Sequence, residues 1–171
     1  MSTILLPRFR YAKQSEAGEP EPPVNVMEMT GRLEMSASGW ILLKVPNSLG
    51  IGVYQSLNLP GLELPKKNGR YHAHISVIRP EELEAAGVTQ RLDELGQRFK
   101  FQIKGLAEVN PMGWEEMDKV WFLRCLSPEL KELRRSYNLP ALPRKDGKNL
   151  GFHITVAVRR AGVLKGRKSK I

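Results

Sequence analysis

A duplicated segment is the sequence feature that most constrains the fold of this chain. Residues 56–76 read SLNLPGLELPKKNGRYHAHIS, and residues 136–155 read SYNLPALPRKDGKNLGFHIT. The same series of prolines, basic residues, a glycine and a final histidine recurs at an offset of about 80 residues. Upstream of each segment, the apolar runs at 41–45 and 121–125 match at the same offset. The chain is therefore expected to fold as two similar halves.

The repeated units, residues 40–77 and 120–156, each predict a strand, a helix, a basic loop and a second strand. Their first runs, ILLKV and WFLRC, are rich in β-forming residues and of strand length. In the second unit, Ser127 suits a helix N-cap and Pro128 the first helical position. The first unit predicts a weaker helix because its glycines disfavour one, although Asn47 is a candidate cap.

The segment between the two units predicts further helix and strand. Residues 80–99 are expected to form one or two helices, and residues 99–109 are expected to form a strand. Helices and strands that are mixed in this way, with few clean βαβ crossovers, indicate the α+β fold class.

Composition shifts predict the domain boundaries. A segment at 14–25 is rich in Pro and Glu, which indicates an extended linker. Residues 1–30 are therefore expected to form an N-terminal arm and linker, and residues 31–160 a single bilobal domain. Residues 161–171 form a basic segment that is expected to be a mobile tail.

Each repeated unit ends in a histidine, one apolar residue and a hydroxyl. Because residues i and i+2 of a strand share a face, His74 is expected to point with Ser76, and His153 with Thr155. The duplication would place these two pairs about a pseudo-twofold axis, facing one another across a cleft. Such a pair suits phosphodiester chemistry, in which one imidazole takes a proton and the other gives one. The hydroxyls would bind the phosphoryl oxygens, and the arrangement requires no metal or other cofactor.

Charge and cysteine content narrow the partners and the compartment. The formal net charge of +9 favours partners that carry phosphate or other negative charge. A single cysteine, Cys125, allows no internal disulfide and favours a reducing compartment. The apolar run at 4–6 is too short for a signal peptide or a membrane span. A cytoplasmic location with no membrane contact is expected.

Candidate substrate-binding residues surround the motifs. The basic loops that precede the closing strands suit phosphate binding, and Arg70 and Lys148 lie nearest to those strands. Trp114 is predicted to be exposed and available to stack on a base, whereas Trp121 lies within an apolar strand and is predicted to be core. His72 shares a strand face with His74 and is a candidate to line the substrate site.

Two other functions remain open from the residues alone. His72, His74 and His153 are a possible ligand set for a catalytic zinc ion, which would make the protein a zinc-dependent hydrolase. Alternatively, the basic loops suit a non-catalytic RNA-binding protein, although no recognised RNA-binding fingerprint such as RNP1 is present. A nucleotide or oligonucleotide is the expected partner in either the two-histidine or the RNA-binding case.

The motifs HIS at 74–76 and HIT at 153–155, each flanked by apolar strand residues, resemble the signature of the 2H phosphoesterases, also called LigT-like. The resemblance covers most of residues 40–158. It implies two pseudo-symmetric lobes of antiparallel sheet plus helices around a central cleft. It also implies metal-free activity on 2′,3′-cyclic phosphates, 2′-5′ linkages, RNA ends or cyclic nucleotides. Ser76 departs from the commoner Thr but keeps the hydroxyl.

Within that family, the chain also looks similar to the phage anti-CBASS nucleases, which cleave cyclic-oligonucleotide messengers. Those proteins are small and compact, with an aromatic residue upstream of the second motif that stacks on a base. This finer similarity implies a cyclic-oligonucleotide substrate and assigns the stacking role to Trp114 or Trp121.

Overall fold

The computed structural model describes residues 27–111, 113–145 and 148–162 of the chain. Most of the predicted N-terminal arm and of the basic tail, together with residues 112 and 146–147, lie outside the described residues. None of the described helices is both long enough and apolar enough to cross a membrane.

The described residues form eleven strands and three helices, in the α+β class that the sequence predicts. The strands are β1 (Glu28–Met35), β2 (Ile41–Lys44), β3 (Leu62–Glu63), β4 (Lys66–Lys67), β5 (Arg70–Tyr71), β6 (His74–Ile78), β7 (Arg98–Val109), β8 (Met117–Leu126), β9 (Arg144–Lys145), β10 (Lys148–Asn149) and β11 (Phe152–Arg160). The helices are α1 (Asn47–Leu57), α2 (Pro80–Ala85) and α3 (Pro128–Ser136).

The main sheet is antiparallel and closes on itself. Its order is β3-β11-β6-β2-β1-β7-β8, and β8 also pairs with β11, so six strands form a ring from which β3 branches. Strands β1, β2 and β6 form one half of the ring, and β7, β8 and β11 form the other. The halves meet where β1 pairs with β7 and where β6 pairs with β11. Two hairpins, β4–β5 and β9–β10, precede β6 and β11 and complete the predicted pseudo-symmetry.

The two helices of the repeat form for different reasons. Helix α3 begins as predicted, because the Ser127 hydroxyl accepts a hydrogen bond from the Leu130 amide at 3.1 Å. The expectation that Asn47 caps α1 is wrong, because its side-chain oxygen instead accepts from the Ala73 amide at 2.8 Å. Gly50 is required by packing: a Cβ at that position would lie 1.8 Å from the Tyr71 hydroxyl.

The segments outside the repeat differ most from the predictions. Only the short helix α2 forms within residues 80–99, and turns and irregular backbone follow it until β7. Strand β1 was not predicted, since it contains Gly31, which weakens a strand pattern. A Cβ at Gly31 would lie 2.7 Å from the Leu43 side chain, so the glycine permits the close approach of β1 to β2.

The alternation predicted for the closing strands is confirmed. The side chains that were expected to face the core are at most 2% exposed: Ala73, Ile75, Val77, Phe152, Ile154 and Val156. A β-bulge between Thr155 and Ala157 then changes the alternation of β11, so that Val158 and Arg160 lie on the same face as His153 and Thr155.

A buried arginine joins the two halves behind the sheet. Arg134 of α3 is fully buried, and its guanidinium donates to the Val77 carbonyl at 2.6 Å and the Pro140 carbonyl at 2.7 Å. It also forms an ion pair with Glu82 of α2 at 2.8 Å. The equivalent residue of the first half, Tyr54, donates instead to the Leu62 carbonyl at 3.1 Å.

Glu82→Gln is expected to lower the free energy of unfolding by about 3 kcal/mol at neutral pH, because it leaves a buried guanidinium without its carboxylate. Burial acts to raise the pKa of Glu82, but hydrogen bonds and charge from Arg134 and Arg79 lower that pKa overall below 4.5. The ionised carboxylate therefore stabilises the fold above its unfolded pKa, and this stabilisation is lost as the pH falls through the folded pKa. Urea unfolding should show that the difference in free energy of unfolding between the wild type and the variant decreases below about pH 4.

Glu132→Gln is the matched control for this prediction. Glu132 pairs with Arg135 on the exposed side of the same helix, where both side chains are more than half exposed. Its replacement is expected to change the free energy of unfolding by no more than about 0.5 kcal/mol. Equal effects of the two substitutions would contradict the role given to the buried pair.

Candidate active site

The two motifs cross at their central residues. Ile75 of β6 pairs with Ile154 of β11 in the antiparallel register. This register directs His74 alongside Thr155, and Ser76 alongside His153, on the face of the sheet opposite the core. Each histidine therefore neighbours the hydroxyl of the other motif, which agrees with the pseudo-twofold arrangement predicted from the repeat.

The outer neighbours of the motifs also follow the pseudo-symmetry. Lys44 of β2 lies opposite His74, and Arg124 of β8 lies opposite His153. Phe122 lies opposite Thr155, and its ring meets the His153 imidazole edge-on at 5.3 Å between centroids. Phe122 carries no motif of its own in the sequence, although it falls within the matched run WFLRC at 121–125.

Both imidazoles are tethered in the same way. Nδ1 of His74 lies 2.7 Å from the His72 carbonyl oxygen, and Nδ1 of His153 lies 3.3 Å from the Gly151 carbonyl oxygen. A carbonyl can only accept, so Nδ1 carries the proton and donates in each case. The neutral imidazoles therefore have an unprotonated Nε2, which is the nitrogen left available to a substrate.

The environments of the two histidines differ. Burial lowers the pKa of His153, and the nearby charge of His74 lowers it further, against an opposing effect of the hydrogen bond to Gly151. His153 is therefore held in the neutral form at lower pH than an ordinary imidazole. The pairing of Ile75 with Ile154 places the two histidines at diagonally adjacent positions on the same face of the sheet.

A cavity of about 1250 Å³ opens beside the histidine pair. It is lined by residues of β11 and β8, by residues of the two hairpins, and by Asn110, Pro111 and Trp114. Six of the predicted site residues line it: His72, His74, Trp114, Lys148, His153 and Thr155. Trp114 is 49% exposed, as expected, and Trp121 is buried.

Two predicted site residues do not line this cavity. Ser76 neighbours Leu42 of β2, on the side of the histidine pair away from the cavity. Arg70 is exposed on β5 and also lies outside the lining. Both hydroxyls lie on the face of the sheet opposite the core, and Thr155 lines the cavity whereas Ser76 lies outside its lining.

The cavity is strongly cationic. Five basic side chains and a single carboxylate line it. The basic residues are Lys66, Lys67, Lys145, Lys148 and Arg160, and the carboxylate is Glu63. Glu63 is paired with Arg160 at 3.2 Å, which leaves the four hairpin lysines as the dominant charge. Lys66, Lys67 and Lys145 belong to the predicted basic loops but were not preferred there over Arg70.

Neither a cysteine nucleophile nor a metal-binding group adds to the chemistry of the site. Burial raises the pKa of Cys125 to about 12, so its thiol is protonated and is not a nucleophile. Among the described residues, no three His, Cys, Asp or Glu side chains are grouped so that they could hold a metal ion. His72, His74 and His153 therefore do not form the ligand group that the zinc hypothesis requires.

The comparison with protein families agrees with this geometry. The family model described as Swiss Army Knife, 2H phosphoesterase domain, matches residues 40–163, which is most of the chain. No curated protein and no solved structure matches the chain significantly. The match confirms the resemblance to the 2H phosphoesterases. It does not confirm the finer similarity to anti-CBASS nucleases. With both motifs inside the matched region, the chain belongs to the 2H phosphoesterase family.

Proposed function

We propose that this chain is a metal-independent phosphodiesterase that cleaves a ribose-linked phosphodiester by acid/base catalysis with His74 and His153. The observation that carries the proposal is the common tethering of the two imidazoles, each bonded through Nδ1 to the carbonyl two residues earlier. One Nε2 from each half is thus available to substrate. An in-line displacement at phosphorus requires one proton acceptor and one proton donor in this way.

His153 is proposed as the general base and His74 as the general acid. Burial favours the neutral form of His153 by lowering its pKa. Its Nε2 takes the proton from the attacking oxygen, of water or of a ribose 2′-hydroxyl, as that oxygen bonds to phosphorus. The bond from phosphorus to the leaving oxygen breaks, and the His74 imidazolium gives that oxygen its Nε2 proton. Water attack on a 2′,3′-cyclic phosphate gives a phosphomonoester, and attack by the 2′-hydroxyl gives a cyclic phosphate.

The remaining cavity residues are proposed to bind the substrate. The Thr155 hydroxyl, beside His74 in the register, would donate to a phosphoryl oxygen as charge redistributes. Lys148 would hold the anion, Trp114 would stack on a base, and His72 would line the sugar. The Tyr71 hydroxyl supports Thr155 by donating to its carbonyl at 3.0 Å.

The proposed substrates are those that the family resemblance implies. They are 2′,3′-cyclic phosphates, 2′-5′ linkages and cyclic-oligonucleotide messengers of the kind that phage anti-CBASS nucleases cleave. The net charge of +9 supports an anionic substrate. The single cysteine favours a reducing compartment, and we place the reaction in the cytoplasm.

A cleavage screen in the presence of EDTA tests this function. The purified protein would be incubated with 2′,3′-cyclic mononucleotides, 2′-5′ and 3′-5′ oligoadenylates, and cyclic di- and trinucleotides, with products identified by mass spectrometry. His74→Ala and His153→Ala are each expected to lower the rate by roughly 10²-fold to 10⁴-fold, because each removes one proton-transfer group.

Folded variants that each lose less than about fivefold would contradict the acid/base assignment. Turnover that EDTA abolishes and zinc restores would support the zinc-dependent hydrolase instead. Tight RNA binding without turnover would support the non-catalytic alternative.

Thr155→Ala and Ser76→Ala form a matched pair that tests whether the hydroxyl inside the cavity lining contributes more to catalysis than the hydroxyl outside it. Thr155→Ala is expected to lower kcat/KM by about 10-fold to 100-fold, because it removes a donor to a charged oxygen inside the cavity. Ser76→Ala, which removes the same group outside the cavity lining, is expected to lower kcat/KM less than about threefold. Steady-state kinetics on the best substrate of the screen measure both values. Equal losses would show that both hydroxyls contact the phosphate.

A further inference from the structure

We propose that the cavity binds an oligonucleotide with at least two phosphates, which runs along β11 from the histidine pair towards Arg160. This inference rests on the proposed function and names the substrate class of the same site. A mononucleotide at the histidine pair would fill only part of the cavity. The remaining length would hold a second phosphate and at least one further base.

The extent of the cavity supports a chain longer than one nucleotide. Its volume of about 1250 Å³ exceeds the range of roughly 300–1,000 Å³ that is usual for a pocket holding one small molecule. The lining follows β11 from His153 to Arg160, and strands rise about 3.3 Å per residue, so the cavity extends for roughly 20 Å. The β-bulge after Thr155 makes this length continuous, because it turns Val158 and Arg160 to the cavity side.

The number of charges supports a second phosphate. Four lysines line the cavity together with the histidine pair: Lys145 and Lys148 on the β9–β10 hairpin, and Lys66 and Lys67 on the β4–β5 hairpin. A single scissile phosphate would not require four lysines in addition to the two histidines. No ion pair within the described residues involves any of these four lysines, so their charges are available to a polyanion.

The cavity also offers surfaces for a base beyond the scissile phosphate. Trp114 lines the cavity and is 49% exposed, and Nζ of Lys145 stands 5.9 Å from the centroid of its ring. A base that stacks on Trp114 would therefore have its backbone phosphate within reach of Lys145. The lining also has an apolar part that includes Val120, Phe122 and Val158, which suits the faces of bases and sugars.

Binding to the catalytically disabled His153→Ala variant tests this inference separately from turnover. Isothermal calorimetry would compare AMP, pApA and pApApA, which carry one, two and three phosphates. The dissociation constant is expected to fall by about tenfold or more from AMP to pApA, because a stacked base and a second phosphate are added. The slope of log Kd against log salt is expected to steepen by about 0.7 for each further phosphate that is bound.

Three substitutions in the same background locate the second subsite. Lys145→Gln and Trp114→Ala are expected to reduce the advantage of pApA over AMP to less than about threefold, because each removes a contact beyond the scissile phosphate. Lys104→Gln removes the same charge from an exposed position on β7 outside the cavity, and it should leave that advantage unchanged.

Dissociation constants for AMP and pApA within about twofold of each other would overturn the inference. An advantage that survives both Lys145→Gln and Trp114→Ala would also overturn it. The proposed function fails by a different result, namely the absence of wild-type turnover that depends on His74 and His153. An oligonucleotide preference in binding without that turnover would retain the subsite and reject the chemistry.

Discussion

The antiparallel pairing of Ile75 with Ile154 is the contact on which the site depends. Both side chains are fully buried, so the flanking histidines and hydroxyls must lie on the opposite face of the sheet. A slip of one residue would turn the apolar set towards the cleft and bury the motifs, which the core strongly disfavours. The geometry of the catalytic pair is thus a consequence of core packing, and the repeat supplies the same solution from each half.

Polar contacts behind and beside the sheet hold the surrounding parts in place. Arg134 bonds to the Val77 carbonyl next to the first motif and to the Pro140 carbonyl on the path to the β9–β10 hairpin. Arg79 donates to the Arg144 carbonyl within that hairpin. Burial raises the pKa of Tyr71 to about 12, so its phenol stays protonated and donates to the Thr155 carbonyl. These contacts connect the β9–β10 hairpin and the second motif to the first half of the fold.

The repeat made much of the fold and of the site predictable. Local patterns were enough for α3, for the closing strands and for the shared face of His153 and Thr155, because each depends on a few neighbouring residues. The family match to residues 40–163 agrees with the resemblance drawn from the two motifs. The importance of Lys145 was not predictable to the same degree, because which basic loop residues line the cavity depends on how each hairpin folds over it.

Other features arise only when distant segments meet. Gly31 weakens the sequence pattern of strand β1. Because glycine has no side chain, it leaves room there for Leu43. The bulge in β11 changes which side chains face the core after Thr155, and no local sequence pattern predicts it. The cavity lies on one side of a nearly symmetric pair, so Ser76 and Arg70 fall outside it despite their place in the repeat.

The central claim is that backbone carbonyls hold both imidazoles with Nδ1 protonated and Nε2 free for proton transfer. The most direct measurement is a pH titration of the wild-type imidazole nitrogens by long-range ¹H–¹⁵N NMR, with assignments from the single histidine variants. The account predicts that neutral His74 and His153 carry the proton on Nδ1 and that the pKa of His153 lies below its ordinary value of 6.5. A neutral His153 protonated on Nε2, or a pKa above 6.5, would contradict it.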